Sequence, residues 1–301
     1  MKEKEQRQRL LRSLRSVGHF IGQLLLEPAR CLLCGDNVAG LRPEDFCPLC
    51  ADFFANLSPI KTTLLGDDPL LPNLVCFSGG FYEGPIQEAI YQIKYLKRPE
   101  LALALEAAMI PPAVSLAEHI RLQCQDQTKP PLILPVPLHT TKKRERGFNQ
   151  AELLGTVAAK ILKSRCESGG LRRLRATSPQ FGLSRSARRH NLDGAFAGPA
   201  HFPIGGNFGN LTKNILADRE VVIVDDVVTS GATLYECART ASACGARVVG
   251  ALTLARARWH DDKGRDETNQ REMVSETLVP ALSAEKCGPP DQSVRRRRAF
   301  F

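Results

Sequence analysis

Val221-Val222-Ile223-Val224-Asp225-Asp226-Val227-Val228-Thr229-Ser230-Gly231-Ala232-Thr233 sets two adjacent carboxylates between a β-branched apolar run and a small turn of hydroxyls and glycine. A helix-forming segment, Leu234 to Cys244, follows at once. The order predicts a buried parallel strand, a tight loop and a helix N-terminus. Such a junction presents several backbone N–H groups and the positive end of a helix dipole to a phosphate. The two acids ahead of this anion cradle stand where sugar hydroxyls need acceptors. A ligand carrying both a ribose and a 5′-phosphate satisfies both halves. The plainer alternative is an ordinary βα loop in which Asp226 or Thr229 only caps the next helix. A lone Asp-Asp would favour that alternative; the full string does not.

Working outward, Arg247 to Leu254 returns a strand after the helix, and strand–helix–strand predicts an α/β fold with a doubly wound parallel sheet. Leu132-Ile133-Leu134-Pro135-Val136-Pro137 reads as a core strand running into a loop, its prolines marking the strand end. A helix is expected from Ala151 to about Lys163, with Asn149 as its N-cap. Ligands of such sheets bind at the carboxyl ends of the strands, where Asp225 and the Pro137 loop both emerge. Upstream, Leu57 to Asn73 reads as a connector and Val75-Cys76-Phe77 as a short strand. Gly79-Gly80 and Gly84-Pro85 read as turns. Helices are expected over Ile86 to Leu96, which carries Lys94, and over Pro99 to Ile110, punctuated by Pro111-Pro112. Arg165 to His190 lacks periodicity, and a loop of that length in a compact domain suggests an active-site lid.

The 301 residues, 43% of them hydrophobic, suffice for one α/β core with smaller appendages. The net charge of +9 is uneven: Lys142 to His190 holds thirteen Lys/Arg against three Glu, so the remainder is nearly neutral. Phosphates or a nucleic-acid backbone are the partners such a stripe favours. No apolar run reaches the 18 or so residues that a membrane span needs, so no membrane insertion is expected. Leu10, Leu14, Val17, Ile21 and Leu24 recur at helical spacing, predicting an amphipathic N-terminal helix instead of a secretion signal, with cytoplasmic residence.

Four of the ten cysteines fall as Cys31-x2-Cys34-x12-Cys47-x2-Cys50. Two such pairs bring four thiolates to a tetrahedral Zn²⁺, and a structural site of this type leaves no open coordination position. The intervening segment has no core of its own, so the metal would hold it together. Disulfides need an oxidising compartment, and a redox CxxC is usually single. The other six cysteines show no ligand spacing.

These strings together resemble the ComF/GntX family: a zinc-ribbon module joined to a type I phosphoribosyltransferase-like domain. The resemblance spans roughly Cys31 to Arg258. Besides the cysteines it rests on Ile93-Lys94-Tyr95, on Val136-Pro137-Leu138 with Arg146-Gly147-Phe148-Asn149-Gln150, and on the 221–233 string. It also covers Arg175-Ala176-Thr177-Ser178-Pro179-Gln180 with Leu183, Arg188, Asn191 and Phe196. It implies binding of phosphoribosyl pyrophosphate (PRPP) with Mg²⁺, with Asp225 and Asp226 on the ribose hydroxyls. Thr229, Ser230, Gly231, Ala232 and Thr233 would wrap the 5′-phosphate, while Pro137, Leu138, His139, Arg144 and Arg146 would hold the pyrophosphate. Asp225, Asp226, Arg175 and Arg188 form the implied catalytic set, joined by Lys94 and Gln180. Chemistry there would be displacement of pyrophosphate at the ribose C1′ by positioning and electrostatics.

The implied organisation is an N-terminal helix (1–28), a four-cysteine zinc-ribbon module (29–58), a connector (59–74), the phosphoribosyltransferase-like domain (75–258, with its lid at about 165–190) and a disordered basic tail (259–301). The Ala197–Glu220 stretch is longer and richer in Gly and Asn than the family leads one to expect. Family resemblance implies a part in DNA uptake, with imported single-stranded DNA and a competence-machinery protein as partners. An active phosphoribosyltransferase for a nucleobase-like acceptor in nucleotide salvage, and a PRPP-sensing regulator without turnover, stay open. The 6% aromatic content leaves few stacking platforms for single strands.

Overall fold

The computed structural model describes residues 30–37, 45–69, 71–123, 129–175, 192, 194–199 and 214–258. In chain order these form α1 (Pro48–Ala55), β1 (Ile60–Asp68), β2 (Leu71–Phe81), α2 (Gly84–Tyr95), α3 (Pro99–Ala104), α4 (Glu106–Gln123), β3 (Leu132–Pro135), α5 (Thr140–Arg146), α6 (Gln150–Ile161), β4 (Arg165–Cys166), β5 (Arg172–Arg173), β6 (Phe196–Ala197), β7 (Glu220–Val228), α7 (Ala232–Ala243) and β8 (Arg247–Arg256). Six strands build one sheet in the order β1-β2-β8-β7-β3-β4. Every neighbour from β2 to β4 is parallel. Only β1, at the edge, is antiparallel. The expected doubly wound α/β sheet is therefore present.

Val221, Val222, Ile223 and Val224 are completely buried because both faces of β7 are covered. Val222 and Val224 enter one core with Ile133, Leu252, the inner faces of α2 and α4, and α6. Val221 and Ile223 enter the other core with Leu132, Leu134 and the buried side of α7. Cys31, Leu32, Leu33 and Phe54 join the first of these cores, so the cysteine module packs directly on the helical layer. Among the described residues no helix is long and apolar enough to cross a membrane.

Four expectations are corrected. Leu57–Asn73 is not an irregular connector, because β1 and most of its pairing with β2 lie inside it. Residues of β1 alternate between exposed and half-buried, and none of those whose burial is described is fully buried, which is why its hydrophobic pattern is faint. Gly79 and Gly80 lie within β2, not in a turn. Pro111 and Pro112 lie inside α4, and the helical layer breaks instead at Leu105, between α3 and α4. The start of the expected lid is regular: β4 extends the sheet beside β3, and β5 pairs with β6.

The second and third corrections share a cause. Pro112 has no N–H to give the carbonyl of Ala108 four residues back. That oxygen faces β2, where a Cβ on Gly79 would lie 2.8 Å from it and 2.9 Å from the carbonyl oxygen of Leu254. Only glycine fits between the two backbones. Gly79→Ala is expected to cost about 1–3 kcal/mol, the usual scale of overpacking, since neither obstruction can rotate away. Urea unfolding of the variant measures it.

The expected N-terminal helix, the centre of the lid, most of the 197–220 stretch and the tail lie outside the described residues.

Candidate functional site

The ladder between β3 and β7 ends where Pro135 meets Val224, with the Val136 amide donating to the Val224 carbonyl at 2.8 Å. On its other side β7 stays paired with β8 as far as Val228. The carboxyl end of β7 thus borders a crevice that opens beside the loop leaving β3, the usual ligand position in such sheets. Asp225 and Asp226 occupy this end.

Strand alternation sends the two acids to opposite faces. Both are nearly closed off, at 9% and 5% exposure. The Asp226 carboxylate pairs with Lys94 of α2 and accepts a hydrogen bond from Gln150 Nε2 at 3.3 Å. Gln150 in turn accepts from Arg146, which links the loop after β3 to the acid doublet. Burial opposes the charge on Asp226, but Lys94, with hydrogen bonds from Asp225, Lys94 and Gln150, holds its carboxyl below the ordinary value. Burial also works against Lys94, and Asp226 overcomes it, so the ammonium stays charged above its usual range.

Asp225 has the opposite fate. Its Oδ1 accepts the Asp226 amide at 2.8 Å. Burial, then the neighbouring Asp226 charge, pushes its carboxyl well above the ordinary value. The Asp225 charge acts on Arg173 of β5, whose guanidinium lies 5.4 Å from the Phe196 ring centroid. Two adjacent carboxyls are thereby driven apart in acidity, as happens where one group must stay charged and its neighbour must not.

The turn after β7 runs into a helix start with no side-chain cap at its N-cap position. Gly231, the N-cap of α7, has φ +76 and offers no capping side chain. The nearest substitute, Ser230 Oγ, sits at 3.5 Å from the Ala232 amide. A helix start without a side-chain cap leaves donors for an external anion. A Cβ on Gly231 would also strike the Leu64 side chain of β1, at 2.4 Å. The unexpected hairpin therefore leans on the turn. It is pinned there by Tyr235 of α7, which donates to the Leu71 carbonyl at 2.8 Å and accepts from the Asp68 amide at 3.1 Å.

The loop after β3 carries Pro137, which is buried, and Leu138 and His139, which are half-buried. His139 caps α5, accepting from the Thr141 amide through Nδ1 at 3.4 Å. Arg144 is exposed and Arg146 half-buried. The expected N-cap Asn149 is found: its side chain accepts the Ala151 amide at 3.1 Å and donates to the Val136 carbonyl at 3.0 Å. It thus fixes α6 against the loop. Arg175 is exposed just beyond β5. Arg188 and Gln180 lie outside the described residues. Gln150 and Arg173, which the sequence did not single out as site residues, are brought to the doublet by tertiary contacts alone. Gln150 did stand in one of the quoted strings.

The four sulfurs of Cys31, Cys34, Cys47 and Cys50 lie within 4.8 Å of one another. Cys34 Sγ and Cys47 Sγ are 3.8 Å apart. A tetrahedral ion with metal–sulfur distances of about 2.3 Å separates its sulfurs by about 3.8 Å, whereas a disulfide needs about 2.05 Å. The Cys47 amide donates to Cys31 Sγ at 3.2 Å. Burial resists ionisation of Cys31, but the Cys47, Cys34 and Leu33 amides bring its thiol down to about 7. Burial pushes Cys34 up to about 12 and Cys50 higher still.

A phosphoribosyl transferase domain model matches residues 166–282, which include the whole Asp225–Thr233 string. The DNA utilization protein YhgH of Escherichia coli O6:H1 is 34% identical over 175 residues, covering 58% of this chain and 69% of that protein. The chain belongs to the ComF family. YhgH of Salmonella typhi is 30% identical over 246 residues, covering 77% of this chain and 99% of the relative. Competence protein F of Haemophilus influenzae is 34% identical over 128 residues, covering 42% and 51%.

Proposed function

We propose that this protein binds PRPP, or a similar phosphorylated ribose, with Mg²⁺ at the carboxyl end of β7. In this reading it takes part in handling single-stranded DNA imported during natural competence. The observation that carries the ligand assignment is the pairing of two buried, oppositely tuned carboxyls with an uncapped helix start one turn away. Ribose hydroxyls go to Asp225 and Asp226, and the 5′-phosphate to Thr229–Thr233. Pyrophosphate goes to Pro137–His139, Arg144 and Arg146, with Arg175 and Arg188 neutralising charge, and Lys94 and Gln180 completing the set. Magnesium, bound with the ligand beside Asp225 and Asp226, would supply charge neutralisation for the pyrophosphate. The DNA assignment is supported by the relatives' names and by the basic segment Lys142–His190, since phosphates dominate such affinity. A competence-machinery protein is the corresponding partner, and the cytoplasm the corresponding location.

The retained doublet also supports a second reading, turnover as a phosphoribosyltransferase on a nucleobase-like acceptor in nucleotide salvage. Zinc held by the four cysteines completes the assignment as a structural ion, supported by the fit of their spacing to a tetrahedron.

Calorimetric titration of Mg·PRPP, and separately of single-stranded DNA, against wild type and Asp225→Asn/Asp226→Asn tests this. PRPP binding abolished by the mutation, with DNA affinity retained, is expected. Absence of binding of either ligand to wild type overturns the proposal, and pyrophosphate release with nucleobases would establish the salvage reading. Elemental analysis is expected to find about one zinc per chain; a folded, metal-free protein contradicts the zinc assignment.

A further inference from the structure

The described core holds an amide that neither ligand reading uses. Gln92 of α2 is 5% exposed, and it is the one polar residue among the buried positions of this helix. A buried amide is costly there unless all its groups are paired. They are. Gln92 Nε2 donates to the Leu33 carbonyl at 2.9 Å and to Glu88 Oε1 at 2.8 Å, and its Oε1 accepts from Arg98. Leu33 lies inside Cys31-x2-Cys34 and is itself buried, so Gln92 supplies the donor that this carbonyl needs.

Lys94 lies two residues further along the same helix. At 3.6 residues per turn that is about 200° around the axis, so α2 turns one side to the cysteine loop and the other to β7. Cys31, Leu33, Ile86, Ile90 and Ile93 share one core, which makes the cysteine loop the floor on which α2 rests.

We propose that Gln92 is a positioning residue that couples the four-cysteine loop to the Lys94–Asp226 ion pair through α2. Metal at the cysteines holds Leu33 in place, Leu33 holds Gln92, and α2 then presents Lys94 to Asp226. Loss of the metal frees the Leu33 carbonyl and loosens that presentation. The inference rests on the proposed ligand site only where the ligand itself is used as a probe.

Hydrogen exchange of the 84–96 peptide, measured by mass spectrometry on the full chain with metal bound and after chelation, tests it without a ligand. In wild type, chelation is expected to speed exchange at least tenfold. In Gln92→Leu the metal-loaded protein is expected to exchange fast already, with chelation adding little. Equal acceleration in both proteins, or none in wild type, overturns the coupling, because independent sites add. If Gln92→Leu does not fold, Gln92→Asn replaces it, an amide one methylene too short to reach Leu33. A second readout uses reciprocity: saturating Mg·PRPP is expected to tighten zinc binding, measured by equilibrium competition with a chromogenic chelator, several-fold in wild type and not in the variant. Unchanged zinc affinity in a wild type shown by calorimetry to bind PRPP overturns the coupling. Failure of PRPP to bind overturns the proposed ligand instead, and the exchange measurement then decides on Gln92 alone.

Discussion

Asp225→Asn is expected to make the protein more stable at neutral pH while it weakens Mg·PRPP binding. The Asp225 carboxyl is buried beside a second carboxylate, and both effects disfavour its charge, so its value in the folded state lies well above that of the unfolded chain. An acid raised in this way binds more protons folded than unfolded. Its contribution to stability therefore falls as pH rises from about 3.9 toward the folded value. Asparagine cannot ionise and keeps an Oδ1 to accept the Asp226 amide, now at 2.8 Å. Stabilisation on the order of 1–3 kcal/mol is expected. For a domain of this size that is roughly 2–4 °C in Tm per kcal/mol. The ligand loses an ionisable acceptor, a change of about 10- to 100-fold in Kd. Calorimetry and thermal melts at pH 5 and pH 8 check both halves; a variant that is less stable at pH 8 contradicts the account.

Lys94→Met is expected to be the most damaging single change near the site. It leaves the Asp226 carboxylate buried without the Lys94 cation, held by hydrogen bonds from Gln150 and Asp225, and breaking such a pair typically costs about 3–5 kcal/mol. Adding Asp226→Asn in the Lys94→Met background is expected to recover most of the loss. A double-mutant cycle by urea unfolding measures the coupling, and additivity of the two changes would refute the pair. The pH dependence follows from the signs. With Lys94 present, Asp226 is held below 3.8, so its contribution is complete above that value and is lost as pH falls through the folded value. Without Lys94 burial dominates, and the dependence inverts: the variant regains stability relative to wild type as the solution is acidified.

The strand–acid–turn–helix unit was legible because each of its parts is local. Four β-branched residues need two covered faces, Gly231 supplies a φ of +76, and Asn149 reaches only two residues to cap its helix. Two CxxC pairs constrain metal geometry through chain length alone, and the observed sulfur spacing agrees. Elements whose stability comes from distant partners were misread. The β1 strand is at most half-buried at its described positions and depends on its pairing with β2. Gly79 reads as a turn until Ala108 and Leu254 are seen to close on it from two other elements. Pro111 and Pro112 read as a stop, yet the packing of α4 tolerates the bonds they remove.

What the chain determined unaided is therefore its class of fold, its four-thiol cluster and the placement of two acids before an uncapped helix start. Tertiary structure alone set the two acids apart. Asp225 and Asp226 are neighbours of one residue type, and the convergence of Lys94 from 132 positions away, with Gln150, holds the Asp226 carboxyl below its ordinary value while burial raises that of Asp225. Charge in a desolvated site depends on what surrounds it in space, and sequence separation carries no record of that distance.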